Sequence, residues 1–93
     1  MIGDKIRELR ESKEILLRQL AAQLDMDTAL LSKMERGDRF FPKEDILSLS
    51  EIFNQPVKEL LTIWLADKVL QTINEEEYQT EALELALQQL DRK

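Results

Sequence analysis

The chain has 93 residues, of which 43% are apolar and 34% charged, and its formal net charge is −6. It contains no cysteine and no histidine, which excludes disulfides, thiolate zinc sites and catalysis by either side chain. No charge-free run approaches the length of a membrane span and the N-terminus lacks a signal-peptide pattern, so we expect a cytoplasmic protein. Only two glycines and two prolines interrupt a chain rich in helix formers, which predicts an all-α fold without a cofactor or a metal site.

The negative charge is concentrated in the C-terminal half of the chain. Residues 1–43 carry nine lysines and arginines against eight acidic residues, whereas residues 44–93 carry four against eleven. A net charge does not determine the potential of one surface. The N-terminal half can therefore present a basic surface on an acidic protein.

Apolar spacing predicts the first two helices. Ile2, Ile6 and Leu9 recur at intervals of four and three residues, which is typical of one face of a helix that ends near residues 13–14. The second helix repeats the pattern with Leu17, Leu20, Ala21 and Leu24.

The segment 20–37 predicts a tight turn between the second helix and a third one. Asp25 is the expected left-handed residue of the turn, and the Asp27 carboxylate is expected to cap the third helix. Gly37 is expected to end that helix, and Met26, Leu31 and Met34 are expected to face inward. Two helices joined in this way form a helix-turn-helix, which offers its second helix to the major groove of DNA.

Prolines and asparagines divide the rest of the chain into three more helices. Pro42 begins the fourth, Asn54 ends it, and Pro56 begins the fifth. The fifth helix has too many apolar residues for one narrow stripe. Asn74 and Glu77 resemble a capping box that opens a sixth helix.

Several residues of the turn and the third helix resemble the Cro/cI repressor (XRE-type) helix-turn-helix family: Leu20, Ala21, Asp27 and the run Leu-Ser-Lys-Met-Glu-Arg-Gly over 31–37. The similarity extends from about residue 2 to residue 61. It implies a five-helix lambda-repressor-like DNA-binding domain over residues 1–62. Residues 63–93 would add a helical extension that serves in dimerisation and is similar, in general terms, to the tails of restriction-modification controller-like regulators.

The resemblance also implies roles for individual residues. The base-reading residues would be Thr28, Ala29, Leu30 and Lys33, and the phosphate-contacting residues Arg18, Ser32, Arg36, Arg39 and Lys43. Arg10 would pair with Glu35 and tie the first helix to the third. The expected dimer contacts are Trp64, Leu65, Val69, Leu83 and Leu87.

Three features depart from the family pattern. Glu14 and Asp25 occupy positions that are usually glycine, and Leu16 and Leu17 replace a polar cap and a glutamine. The second change removes a familiar phosphate contact. The loop 37–42 is also longer by a residue, and its two phenylalanines either pack beneath it or touch the DNA backbone.

Each of these interpretations has a structural alternative. The basic residues of the third helix are equally typical of a solvated face, and Arg10 and Glu35 of unrelated surface residues. Trp64, Leu65 and Leu70 either form an oligomer interface or a core covered by the sixth helix.

The sequence therefore predicts a bacterial transcriptional regulator, a repressor-like protein that binds double-stranded DNA as a homodimer on a palindromic site. The alternative is a protein-interaction module of antitoxin type, which would bind a protein partner through the apolar C-terminal helices. No enzymatic activity is expected, because the carboxylates lie on solvent-facing helix positions without a partner base.

Overall fold

Residues 1–92, the part of the chain that the computed structural model describes, form six α-helices and no strand. The helices are α1 (Ile2–Ser12), α2 (Leu17–Gln23), α3 (Thr28–Arg36), α4 (Lys43–Ile52), α5 (Val57–Thr72) and α6 (Gln79–Asp91). The all-α class predicted from composition is confirmed. None of these helices is long and apolar enough to cross a membrane.

The core lies among α1 to α4 and the first half of α5. Helices α1 and α2 both pack against α3, while α5 packs against α4 and α1. The fully buried large side chains are Phe41, Phe53, Ile6, Leu20, Leu31, Ile46, Leu49 and Leu60. Helices α1 to α5 each supply apolar side chains to this one cluster, as the spacing of the first four helices predicts.

Left-handed residues lie at the C-terminal ends of four helices, α1 to α4. Asp25 and Asn54 have φ of 54° and 52°, and Gly37 has φ of 86°, as predicted for all three. Glu14, which stands where the family usually has glycine, adopts the same conformation with φ of 55°. The turns therefore keep their left-handed geometry without the glycines that would adopt it at lower cost.

The predicted side-chain cap of α3 is wrong. Asp27 occupies the N-cap position, but its carboxylate accepts no hydrogen bond from the first turn. The residue is exposed, so water can solvate both the carboxylate and the free N–H groups of that turn.

The predicted start of α6 at Asn74 is also wrong. Glu75 and Tyr78 have φ of 64° and 62°, which interrupts the helical path, and α6 begins only at Gln79. The Gln79 amide then donates a 2.7 Å hydrogen bond to the Ile73 carbonyl at the end of α5. Local turn geometry thus overrides the capping-box pattern.

Helix α5 continues from the core into the C-terminal region without a break. Beyond residue 62 it is held by Trp64, whose Nε1–H donates to the Phe41 carbonyl at 2.7 Å. Asp67 accepts the backbone N–H of Ile2 at 3.2 Å, and its carboxylate lies 3.6 Å from the N-terminal ammonium. A carboxylate at this position neutralises the positive end of the α1 dipole.

Helix α6 contrasts with the other five because none of its side chains is buried. It does not cover α5, where Leu65 and Leu70 stay 56% and 46% exposed. The alternative in which the sixth helix closes a core over these leucines is therefore wrong for the single chain.

Candidate nucleic-acid interface

Helix α3 is fixed to the domain along one side. Its buried residues are Leu31, Met34 and Glu35, which face α1, α2 and the core. This packing leaves the opposite side of α3 facing solvent along its whole length.

A bidentate ion pair fastens the C-terminal end of α3 to α1. Arg10 Nε and Nη2 donate to the two carboxylate oxygens of Glu35 at 2.8 and 3.0 Å. Arg10 Nη1 donates to the Ile15 carbonyl at 3.0 Å, so one guanidinium joins α1, the loop before α2, and α3. The hydrogen bond to Glu35 raises the pKa of Arg10 above its ordinary value, against the opposing effect of partial burial. Glu35 is buried, and Arg7 approaches it at 3.6 Å as a second cation.

Gly3 permits this close approach of α1 to α3. A Cβ at that position would clash with the Glu35 carbonyl oxygen and would lie 2.6 Å from that of Met34. Both contacts are with backbone, which cannot rotate out of the way. Sequence reasoning missed Gly3, although a glycine inside an amphipathic helical pattern is a signal for close backbone packing.

The exposed side of α3 carries most of the predicted base-reading residues. Thr28, Ala29 and Lys33 are exposed, so their side chains are available to a partner. Leu30 differs, because it is half-buried and packs against the core. The structure thus divides the predicted reading set into three free side chains and one shared with the interior.

Two of the predicted phosphate-contacting residues lie in contact with each other. Arg36 Nη1 donates to the Ser32 hydroxyl at 2.8 Å, and Arg36 Nε donates to Asp38 at 3.2 Å. Arg36 and Asp38 are 51% and 63% exposed, so their ion pair contributes little and can be exchanged for another anion.

The other predicted phosphate contacts lie on three separate elements. Arg18 is on α2, Arg39 is in the loop after α3, and Lys43 begins α4. All three are exposed, and within residues 1–92 neither they nor Lys33 form an ion pair. Their charges are therefore not neutralised by a partner in the described part of the chain.

The loop between α3 and α4 is anchored from below. Phe41 is buried in the core and its carbonyl accepts the Trp64 hydrogen bond, while Phe40 is half-buried. Of the two placements that the sequence leaves open for these phenylalanines, packing beneath the loop is the observed one for Phe41.

The predicted dimer residues are divided between exposed side chains and one that packs against the core. Leu65, Val69, Leu83 and Leu87 are exposed. Trp64 instead packs against the core, with Lys68 Nζ 4.8 Å above its ring. The half-buried indole is therefore partly engaged by its own chain.

The arrangement of a supported α3 with a free outer side agrees with the comparison to known proteins. The chain belongs to the helix-turn-helix domain family, whose model matches residues 2–62. This range ends inside α5, before the helix leaves the core.

One similar protein is described as an uncharacterized HTH-type transcriptional regulator, RghRB, of Bacillus subtilis (strain 168). It is 33% identical over 60 residues, which cover 63% of this chain and 43% of that protein. The chain thus spans less than half the length of this relative. No solved structure matches the chain.

Proposed function

We propose that this protein is a sequence-specific transcriptional regulator of the Cro/cI type, which binds double-stranded DNA with α3 in the major groove. The observation that carries the proposal is the free outer side of α3 above its buried ion pair. A recognition helix must keep a fixed orientation, and the Arg10–Glu35 pair supports that orientation from behind. Membership of the helix-turn-helix family supports the same conclusion.

In the proposed complex, residues of the outer side of α3 read the bases. Lys33 donates to guanine O6 or N7, and the Thr28 hydroxyl bonds a base edge. Ala29 and Leu30 contact thymine methyl groups. The contact area of Leu30 is the smaller one, because Leu30 also packs against the core.

The surrounding cations hold the DNA backbone and fix the register of α3. Arg18, Arg39 and Lys43 approach phosphates from three elements around α3. Arg36 releases Asp38 and, together with Ser32, takes a phosphate oxygen instead. These contacts supply affinity at every DNA sequence, and that affinity falls as salt rises.

We further propose that two copies bind a palindromic operator. A two-fold dimer presents its two α3 helices about 10–10.5 base pairs apart, which is one turn of DNA. A regulator of this kind works in the bacterial cytoplasm, where its operator lies.

Selection from a random DNA library tests the proposal. The wild-type chain is expected to enrich one sequence at low salt, and Lys33→Ala to lose discrimination at one base position. Lys58→Ala is the matched control, because Lys58 is an exposed lysine on α5 outside the proposed interface. The proposal fails if no sequence is enriched or if both variants behave alike.

The salt dependence separates the two kinds of contact. Arg36→Ala and Arg39→Ala are expected to weaken binding to all sequences and to reduce the slope of log K against log salt by about 1 each. Lys33→Ala is expected to change the sequence preference more than the slope. Equal loss at every sequence from all three variants would contradict these roles.

The exposed apolar side chains of α5 and α6 support a second candidate function, a protein-interaction module of antitoxin type. Such a protein would co-purify with a stoichiometric protein partner and retain no DNA. The library selection distinguishes it from the first candidate.

A further inference from the structure

The chain exposes more surface than a compact protein of its size. Its accessible surface is 6710 Å², whereas a folded monomer of 10.9 kDa exposes about 5600 Å². Its radius of gyration is 15.1 Å, against about 12.3 Å for a compact domain of 93 residues. Helix α6, which has no buried side chain, and the exposed second half of α5 both contribute to this excess of about 1100 Å².

One side of α6 is apolar from Ala82 to Leu90. Leu83, Leu87 and Leu90 follow each other at intervals of four and three residues, and they are 37%, 59% and 64% exposed. Ala82 and Ala86 lie beside them by helical spacing. Leu85 is on the other side of the helix. A narrow apolar stripe of this kind is typical of a helix that packs against another helix.

The outer face of α5 is the matching surface. Leu65, Val69 and Leu70 are 56%, 40% and 46% exposed there, beyond the part of α5 that packs on the core. Within its own chain α6 leaves this face open. Two apolar helix surfaces of similar length are thus uncovered in one protomer.

Charge decides which of these surfaces pair. The stripe of α6 is flanked by Glu84 and Asp91, and the outer face of α5 by Lys68. The acids of α5 nearest to that face, Glu59 and Asp67, are already paired with Lys5 and the N-terminal ammonium. Packing α6 on α5 brings opposite charges together, whereas packing α6 on a second α6 brings acids against acids.

We propose that α6 of each protomer docks on the outer face of α5 of a second copy, in a reciprocal exchange of C-terminal arms. The inference rests on the proposed homodimer and names the surfaces that form it. Two-fold symmetry makes each α5–α6 contact occur twice. A typical stable interface buries about 800 Å² per partner, and the excess surface of this chain is of that size.

Light scattering on the full chain gives the first test, with two leucines as matched probes. Leu87 lies on the stripe and Leu85 on the opposite side, yet both are 59% exposed in the single chain. Leu87→Glu is expected to halve the measured mass to that of a monomer, and Leu85→Glu to leave the dimer intact. A monomeric wild type at all concentrations, or equal effects of both variants, overturns the proposal.

The absence of cysteine makes a second test direct, because any introduced thiol is unique. A tagged Val69→Cys chain is mixed with an untagged Leu87→Cys chain and treated with a short bis-maleimide. The expected product is a cross-linked pair of one tagged and one untagged chain. Coupling of Leu87→Cys to itself alone would instead indicate α6 on α6, and would overturn the exchange.

A single chain that carries both cysteines identifies the remaining alternative. Cross-linking that leaves the denatured mass at one chain indicates that α6 folds onto its own α5, and it too overturns the proposal. So does recovery of α6 in a stoichiometric complex with a different protein.

Failure of this inference is distinguishable from failure of the proposed function. If the protein is a monomer that still enriches a DNA sequence, the exchange of arms is refuted and the DNA-binding function stands. If the protein is a dimer that requires Leu87 but enriches no sequence, the DNA-binding function is refuted and the exchange of arms stands. If both proposals are correct, Leu87→Glu raises the Kd for a two-half-site operator at least tenfold, while Leu85→Glu does not change it.

Discussion

Helices α3 and α6 are both amphipathic, yet only α3 has a place to pack within the chain. Three of the nine residues of α3 are buried, and none of the thirteen residues of α6 is. The difference arises from the neighbours, because α1 and α2 meet α3 directly while the turn 73–78 carries α6 away from the core. An apolar stripe therefore predicts that a helix needs a partner, and it does not say which one.

The two regions are also stabilised by different forces. Around α3, a buried bidentate ion pair and close backbone packing fix one orientation. In α6, the contacts are the helical hydrogen bonds themselves and the hydrogen bond from the Gln79 side-chain amide to the Ile73 carbonyl at the end of α5. An isolated helix of this length is marginal in water, so α6 gains most from docking on another surface.

The largest effect is expected from breaking the ion pair behind α3. Arg10→Met leaves the Glu35 carboxylate buried with only Arg7, 3.6 Å away, for compensation. We expect a loss of about 3–5 kcal/mol in the free energy of unfolding, measured by urea titration. The control is Glu59→Gln, which removes the long and partly exposed contact to Lys5 and should cost less than about 1 kcal/mol. Equal losses would mean that the buried pair contributes no more than a surface pair.

The two glycines of the chain provide the next comparison. Gly3→Ala forces a Cβ against two backbone carbonyls, and this overpacking should cost about 1–3 kcal/mol. Gly37→Ala meets no atom within 4 Å and costs only the strain of its left-handed φ, about 1 kcal/mol. Urea titration distinguishes the two variants. If Gly3→Ala were neutral, α1 could shift away from α3 without loss, and the orientation of α3 would be less tightly fixed than proposed.

A smaller effect is expected at the junction in α5. Trp64→Phe removes the N–H that donates to the Phe41 carbonyl, for an expected loss of about 1 kcal/mol in the free energy of unfolding. The matched aromatic control is Tyr78→Phe, which removes a hydroxyl from a side chain that is 71% exposed and should be neutral within about 0.5 kcal/mol. Similar values for both variants would mean that the part of α5 held by the core ends before Trp64 instead of after it.

The sequence predicted the packed region well because its signals are local. Apolar spacing predicted the stripes of α1 to α4, and Asp25, Gly37 and Asn54 predicted the turns. The resemblance to the Cro/cI family brought Arg10 and Glu35 together as a hypothesis, although 25 residues separate them. No spacing rule can relate two helices across that distance.

The misses lie where tertiary geometry overrides a local pattern. Asn74 and Glu77 match a capping box, but two left-handed residues delay α6 by one turn. The sequence allows Trp64 as either a dimer contact or a core residue, and its hydrogen bond to the Phe41 carbonyl depends on the path of the loop. The close approach at Gly3 depends on the distance between two helices, which composition and periodicity do not contain.

The smallest effect is expected from removing the C-terminal arm, residues 75–93. A chain that ends at Asn74 loses no buried side chain, so its free energy of unfolding at low protein concentration should change by less than about 0.5 kcal/mol. The full chain should behave differently as concentration rises, because a dimer is stabilised by mass action and its melting temperature increases. The shortened chain should melt at one temperature throughout a hundredfold dilution series. A large loss on truncation at low concentration would show that α6 stabilises its own domain, and the contrast between the two regions would then be one of exposure alone.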